Sequence, residues 1–512
     1  MWSDAGPTLL RDWISRAAQR DPGKPWIVSA DDGRTVAYRE LAETTARIAT
    51  FLRDRGIRAN DRVVLLANNS IEHLLCFFGV MGYGATICTV HVEINRNQLD
   101  DILARLKPAL VLHQDGLGLD DLLDGSPAPR MPLGRWPRPD PGTFYGEVAR
   151  CGPTDAHTAA GPDDDALILF TSGTSARPKG VVLNYREELG NIDPAADAFC
   201  ITADDRLYDF RSFSWASAQL LGALVPVNRG ATLVMAAKFS ASRFFQHIRD
   251  HGVTVAAGNP TAINILFNSE TDAHRDNLPS LRFLTSSSAP LTLEEWRRFE
   301  VRFGIPVAQA YGCSEAGWIA AISGEQRRPG TVGRPLAYHR LAIIGTDGRR
   351  LPAGEIGEVE VGGFGSHDYR VLADDGRVRS TSRGRIRTGD LGFLDADGFL
   401  CLTGREKELI IRGGVNISPV EIDSFLMLRP DLAEVATVGV PDAIYGEEVV
   451  SYVVVRPGAA VDAGELLRYC SAGLPAAKAP KQIVLSASLP KNERGKLDRR
   501  ALAEQWRRQA GS

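Results

Sequence analysis

Leu167–Val182 reads LILFTSGTSARPKGVV, and the reading of the whole chain turns on it. Four apolar residues run straight into a loop of Gly, Ser and Thr that carries one Pro and one Lys. Such a loop suits an anion. Small residues let backbone N–H groups turn inward, and Thr171, Ser172, Thr174 and Ser175 set hydroxyl donors around Gly173. Lys179 adds a point charge. The loop of nucleotide-hydrolysing P-loop proteins needs G-x-x-x-x-G-K followed by Ser or Thr. Here Lys179 precedes Gly180 and follows Pro178, so the register is wrong for that fold. A polar surface loop after a buried strand has the same composition, and both readings stand on this stretch alone.

On either side of this stretch, strand and helix signals alternate. ATLVMA (231–236), VTVAAG (253–258), LRFLTS (281–286) and PVAQAYG (306–312) read as strands. Between them lie helices: SASRFFQHIRDHG, with Ser240 or Ser242 as N-cap and Gly252 as stop, and TLEEWRRFEVRFG, where Thr292 and Glu295 have the spacing of a capping box. Strands separated by helices of about a dozen residues imply parallel, doubly wound sheets, in which ligands sit at the carboxyl ends of the strands. Three loops fall there: 171–180, 286–291 and 311–317. The first 150 residues alternate similarly, with strands at 62–67 and 109–114 and an amphipathic helix at 38–56. Residues 115–165, rich in Pro, Gly and Asp, read as a linker between lobes. From about 337 short strands and Gly turns suggest a small β-barrel, and the last hundred residues an α+β unit. The expected class is therefore α/β. A large domain (1–404) holds two doubly wound lobes (about 1–160 and 161–336) and a barrel (about 337–404). A small mobile domain (405–512) follows.

Composition narrows the function. With 59 basic against 63 acidic residues, the net charge of −4 gives no support for nucleic-acid binding. No run of about 18 apolar residues suggests a membrane span. The seven Cys are scattered, which argues for a reducing, cytoplasmic setting and against a disulfide framework. The N-terminus has early acids and no long apolar core, so no secretory signal is expected.

TSGTSARPKGV resembles the T-S-G-[ST]-T-G-x-P-K-G signature of the adenylate-forming superfamily, which includes acyl-CoA synthetases, peptide-synthetase adenylation domains and firefly luciferase. Further signatures follow in the family's order: YGCSEAG (311–317), GTVGRP (330–335), RTGD (387–390), GREKELIIRGGVNISPVEI (404–422) and PKNERGK (490–496). The resemblance covers nearly the whole chain. It implies ATP-dependent activation of a carboxylic acid to an acyl-adenylate with release of pyrophosphate, then transfer to coenzyme A. It assigns Glu315, with Thr171, to Mg²⁺, Ser314 to the α-phosphate and Asp390 to the ribose hydroxyls, with Arg405 in support. Ser288, Ala289, Pro290, Ala310, Tyr311 and Gly312 would line the nucleotide. Lys496 would be the catalytic lysine, Lys407 the hinge between domains, and Gly413 and Gly414 the glycines beside the pantetheine arm. Each has an ordinary alternative: a helix-start acid for Glu315, a half-buried aromatic for Tyr311, a turn residue for Asp390, a surface ion pair for Arg405, a solvated lysine for Lys496 and a tight turn for the glycines.

The chain departs from the family in three places. Ala176 replaces the second Gly of the phosphate loop, and Ser287 and Ser288 stand where glycines usually precede Ala-Pro. RSFSWASAQ (211–219) aligns with P-x-x-H, so Arg211 replaces Pro and Ser214 the gate residue. The acyl pocket is expected to draw on Arg211, Ser214, Trp215, Ser217, Ser288, Ala310 and Trp318. That mixture points to a small or polar acid rather than a long chain. Trp215 and Trp318 as core aromatics is the competing reading. Two other functions compete: an adenylating enzyme that passes its acyl-AMP to a carrier protein or a nitrogen nucleophile, and a non-catalytic nucleotide-binding scaffold.

Overall fold

The computed structural model describes residues 10–124, 127–171, 178–289, 291–322, 327–363, 369–382, 384–491 and 496–510. Two large sheets dominate the first four hundred residues. The first has the strand order Val378–Ser382, Tyr369–Leu372, Lys179–Asn184, Asp165–Thr171, Thr86–Val90, Arg62–Leu66, Leu110–His113, Arg130–Pro132. Its five strands from Asp165–Thr171 onward are parallel to one another, and Lys179–Asn184 is antiparallel to Asp165–Thr171. The second has the order Arg334–Pro335, Gly317–Ala321, Val307–Cys313, Phe283–Ser286, Val255–Ala256, Arg206–Asp209, Thr232–Met235, Pro25–Ser29, Thr35–Ala37. Both faces of each sheet are covered, so the strands are apolar on both sides. Val63 and Leu65 join the core between the sheets, while Val64 and Leu66 face the opposite layer, as period-two alternation requires.

The division into contiguous lobes is corrected. Asp165–Thr171 and Lys179–Asn184 belong to the first sheet, although they fall in the stretch expected for the second lobe. Pro25–Ser29 belongs to the second sheet, parallel to Thr232–Met235. Its placement is held by Trp26, which is fully buried, and by Tyr38, whose hydroxyl donates to the carbonyls of Pro226 and Ala231 at 2.9 and 2.7 Å. Residues 115–165 are also more than a linker. They supply the edge strand Arg130–Pro132 and the helix Phe144–Arg150, whose Phe144 and Tyr145 are fully buried.

The expected barrel is a four-stranded antiparallel sheet, ordered His339–Ile344, Gly357–Gly363, Arg385–Leu394, Leu400–Arg405. The hairpin Tyr369–Ser382 leaves it and extends the first large sheet through Lys179–Asn184, secured by an Arg370–Asp165 ion pair at 2.6 Å. The C-terminal unit is α+β: Val415–Ile417, Ile410–Arg412, Gly446–Val455 and Leu432–Asp442 in order, with Gln482–Leu485 parallel to Gly446–Val455. The capping box at Thr292 and Glu295 forms as its spacing predicts. Among the described residues no helix is long and apolar enough to cross a membrane.

One buried acid marks the core. Glu188, on the helix Tyr185–Gly190, is 2% exposed, and among the described residues one of its carboxyl oxygens has no hydrogen-bond partner. Burial, with a smaller push from Glu187, raises its carboxyl to about 8 from an ordinary 4.5. Between those values the folded chain keeps a proton that the unfolded chain has released, so this group's contribution to stability falls as pH rises. Glu188→Gln should remove that slope. Thermal unfolding at about pH 5 and about pH 8.5 should show the variant gaining on the wild type at the higher pH. Parallel curves would place the slope elsewhere.

Candidate active site

Strands of two sheets meet around Asp390. This residue pairs with Arg405 across the Arg385–Leu394 and Leu400–Arg405 ladder, and the Arg405 Nε lies 2.8 Å from its Oδ1. Tyr311, near the end of Val307–Cys313, donates its hydroxyl to Asp390 Oδ2 at 2.6 Å. Burial, and then the Asp390 charge, push the Tyr311 phenol far above its ordinary value, so it stays protonated and donating. An ionised carboxylate has about four acceptor positions, so both oxygens of Asp390 retain capacity for hydroxyl donors. Asp390 is not a solvated turn residue: it is 6% exposed and held from two sides, while the Arg405 side chain that pairs with it remains largely exposed.

The segment YGCSEAG forms a hairpin turn between Val307–Cys313 and Gly317–Ala321. Glu315 thus sits in a β-turn, not at a helix start. Two glycines make the turn possible. A side chain at Gly312 would lie 2.3 Å from the Gly317 carbonyl, and Gly317 has φ +65° against Asn191. Ser314 and Glu315 are half-buried at the turn. Among the described residues the Glu315 carboxylate takes no hydrogen bond or ion pair. The turn that carries Glu315 directly follows Tyr311, which bonds Asp390, and the Cys313 thiol between them is pushed well up by burial first and then by both carboxylates. A single free carboxylate fits Mg²⁺, which keeps most of its water and takes few protein oxygens.

Thr171 and Lys179 face each other where Asp165–Thr171 and the antiparallel Lys179–Asn184 diverge. The anion loop therefore joins strand to strand, unlike the strand-to-helix loop of a P-loop protein. Ser172, Gly173, Thr174, Ser175 and Ala176 lie outside the described residues, as does Pro290. The Lys179 ammonium stands 4.2 Å from the centre of the Tyr369 ring, a cation–π contact.

The expected acyl wall is polar and tightly tied. Arg211 is buried against Asp209 at 2.6 Å, with both side chains 1% exposed. It also donates to Ser287 Oγ at 3.2 Å and to the Ser217 carbonyl at 3.1 Å. Ser214 is buried, and its hydroxyl has no partner among the described residues. Trp215 stacks on His91, centroids 5.9 Å apart and 19° between planes. Ala310 is buried and Ala289 half-buried. Ser288 holds φ +74°, a left-handed conformation natural to glycine, which explains why Ser is unusual there. Trp318 packs as a core aromatic, 2% exposed and edge-on to Phe199 at 6.1 Å. Sequence reading missed Asp209, His91 and Tyr369. Only Asp209 left a signal, an acid two residues from Arg211 at a strand end.

In the small domain, Lys407 occupies a single 3₁₀ turn, Glu406–Glu408, that follows Arg405 directly. Gly413 and Gly414, at φ +57° and +83°, form the two-residue turn between Ile410–Arg412 and Val415–Ile417. Lys496 is half-buried beside the bridge between Lys491 and Leu497. Three residues on, Arg499 binds Asp423 at 2.6 Å and the Thr437 carbonyl at 2.7 Å.

The family profile described as AMP-binding enzyme matches residues 14–366, and that of the AMP-binding enzyme C-terminal domain matches 421–496. The chain is a member of the AMP-binding enzyme family. Among the relatives of this AMP-binding enzyme is the sulfoacetate–CoA ligase of Cupriavidus necator, 34% identical over 94% of this chain and 95% of the relative. The oxalate–CoA ligase of Arabidopsis thaliana is 30% identical over 97% and 98%. In structure it resembles ATP-bound MatB from Rhodopseudomonas palustris, with TM-score 0.87 and 26% identity over 98% and 99% of the two chains.

Ser288→Gly should stabilise this AMP-binding enzyme by about 0.5–1 kcal/mol, left-handed strain relieved less the entropy of a freer unfolded chain. Urea unfolding measures it, and a less stable variant would mean that the Ser288 side chain holds the loop.

Proposed function

We propose that this AMP-binding enzyme activates a small polar acid and joins it to CoA, with Asp390, Glu315, Lys496 and the 171–179 loop at the centre of the chemistry. ATP-dependent acid activation and CoA thioester formation are the activity of the acyl-CoA synthetase family to which the chain belongs. The convergence of Tyr311, Asp390 and Arg405 beside Glu315 carries the assignment of the nucleotide site.

In the first step a carboxylate oxygen attacks the α-phosphorus, and pyrophosphate leaves. Asp390 accepts the ribose hydroxyls and fixes the nucleotide; Thr171 and Lys179 hold phosphate oxygens. The Ser314 hydroxyl orients the α-phosphate. Glu315, with Thr171, would hold Mg²⁺, which when bound would supply positive charge to offset that of the phosphates. Lys496 stabilises the negative charge shared between the acid and the α-phosphate, the kind of fixed cation that contributes most to such a transition state. In the second step the thiol sulfur attacks the acyl carbon and AMP departs with the electron pair of the C–O bond. The small domain turns at Lys407 between the steps, exchanging Lys496 for the Gly413–Gly414 turn.

The acid is small and polar because its expected wall is. Arg211 and Asp209 neutralise each other there, and Ser214, Ser217 and Ser287 add hydroxyls beside the Trp215–His91 stack. Pyrophosphate release with acetate, oxalate, malonate, sulfoacetate, indoleacetate and decanoate, with and without CoA, tests this. Small polar acids should release pyrophosphate and yield thioesters. Preference for decanoate would refute the acid class. Adenylate without thioester would favour a carrier protein or a nitrogen nucleophile as acceptor, and no release with any acid a scaffold.

Lys496→Ala should slow adenylation by roughly a hundredfold or more yet leave thioester formation from supplied acyl-AMP intact. Equal loss of both would refute its role. Lys407→Pro should spare adenylation and slow thioester formation roughly tenfold, by fixing the backbone that must turn. Normal thioester turnover would exclude the hinge.

A further inference from the structure

The two domains touch away from the chemistry, at the C-terminal end of the helix Pro260–Asn268. Arg456, just after the strand Gly446–Val455 of the small domain, donates to Asn268 Oδ1 and lies 5.2 Å from the centre of the Phe267 ring. Both partners are prepared for it. Asn268 donates its amide to the Asn264 carbonyl at 2.7 Å, which turns its oxygen outward. Arg302 grips the same helix end through the carbonyls of Phe267 and Ser269 and stacks on Phe267 at 5.6 Å. On the small-domain side the Arg456 N–H donates to the Asp431 carbonyl at 2.9 Å, which fixes where the side chain begins.

The contact is built to be weak. Arg298 of the large domain repels Arg456, and Glu295 attracts it less; burial and Arg298 together lower the Arg456 guanidinium. Arg298 is itself paired to Glu294 at 2.8 Å. A single neutral acceptor and one ring, opposed by a like charge, give a contact that a domain rotation can break.

In this arrangement the Gly413–Gly414 turn is solvent-exposed, flanked by exposed Ile411, Val415 and Tyr445. It is therefore not the arrangement that brings this turn to the nucleotide. We propose that Arg456 is a positioning residue: with Asn268 and Phe267 it latches the small domain in the adenylate-forming arrangement and so sets the balance between the two steps. This inference rests on the two-step reading above.

The test follows the best acid of the panel through both steps, as pyrophosphate–ATP exchange and as thioester formation from the supplied acyl-AMP, in Arg456→Ala, Arg456→Lys and Asn268→Asp. Arg456→Ala should lower the adenylation kcat threefold to tenfold, with the ATP KM and Tm unchanged, and leave the thioester step as fast or faster. Arg456→Lys should recover part of the loss. Asn268→Asp gives Arg456 a charged acceptor and should act oppositely, keeping adenylation and slowing the thioester step about threefold. A ratio of steps within about twofold of wild type in all three variants would overturn the latch while leaving the two-step reading intact. Equal slowing of both steps with a lowered Tm would also overturn it, as a purely structural contact. A wild-type chain that runs neither step would sink both ideas together.

Discussion

The proposed nucleotide site depends on one carboxylate. Asp390 is buried, and a buried charge persists only where donors surround it. Tyr311 reaches it from the second large sheet, and Arg405 from the neighbouring strand of the four-stranded sheet. Removing either donor would leave an undercompensated anion, so the three residues fix one another. They also fix their surroundings. Tyr311 stands one residue before the Gly312 turn that carries Ser314 and Glu315, and Arg405 stands one residue before the turn that holds Lys407. A single polar knot thus ties the proposed nucleotide site to the start of the small domain.

The rest of the molecule keeps that knot rigid on one side and releasable on the other. The large domain surrounds it with sheets covered on both faces, whose dense interiors do not deform gradually. The chain crosses to the small domain through one 3₁₀ turn, with no long helix to resist rotation. The small domain has its own core, built from Ile410, Ile417, Ile422, Leu466 and their neighbours, so it can move as a unit. Its two functional elements, the Gly413–Gly414 turn and the Lys496 segment, lie on different parts of that unit. The proposed rotation would exchange one for the other.

Local features were legible in the sequence. The Thr292–Glu295 capping box, the glycine turn at 413–414 and the apolar parallel strands follow from short-range chemistry, and the structure has them. Pairings over long separations were not legible. Nothing near Pro25–Ser29 announces that it joins Thr232–Met235, nor that Tyr369–Leu372 leaves its neighbours to pair with Lys179–Asn184. Residues 115–165 looked like a linker because Pro and Gly dominate there, yet two adjacent aromatics, Phe144 and Tyr145, are enough to anchor them. In the site, the family resemblance supplied the roles of Asp390, Arg405 and Lys496, which spacing alone leaves as turn and surface residues. Asp209 and His91 escaped notice because their partners, Arg211 and Trp215, acquire meaning only in three dimensions. Trp318 is the converse, a bulky residue near a motif that the core claims.

The affinity of AMP for the Asp390→Asn chain, measured by calorimetry, tests the role of this carboxylate most directly. An amide of the same shape keeps one acceptor but loses the charge that Tyr311, Arg405 and two ribose hydroxyls would share. AMP should bind at least about tenfold more weakly than to the wild type, with the chain still folded. Unchanged affinity would mean that the nucleotide lies elsewhere, and the site built here around Asp390 would be wrong.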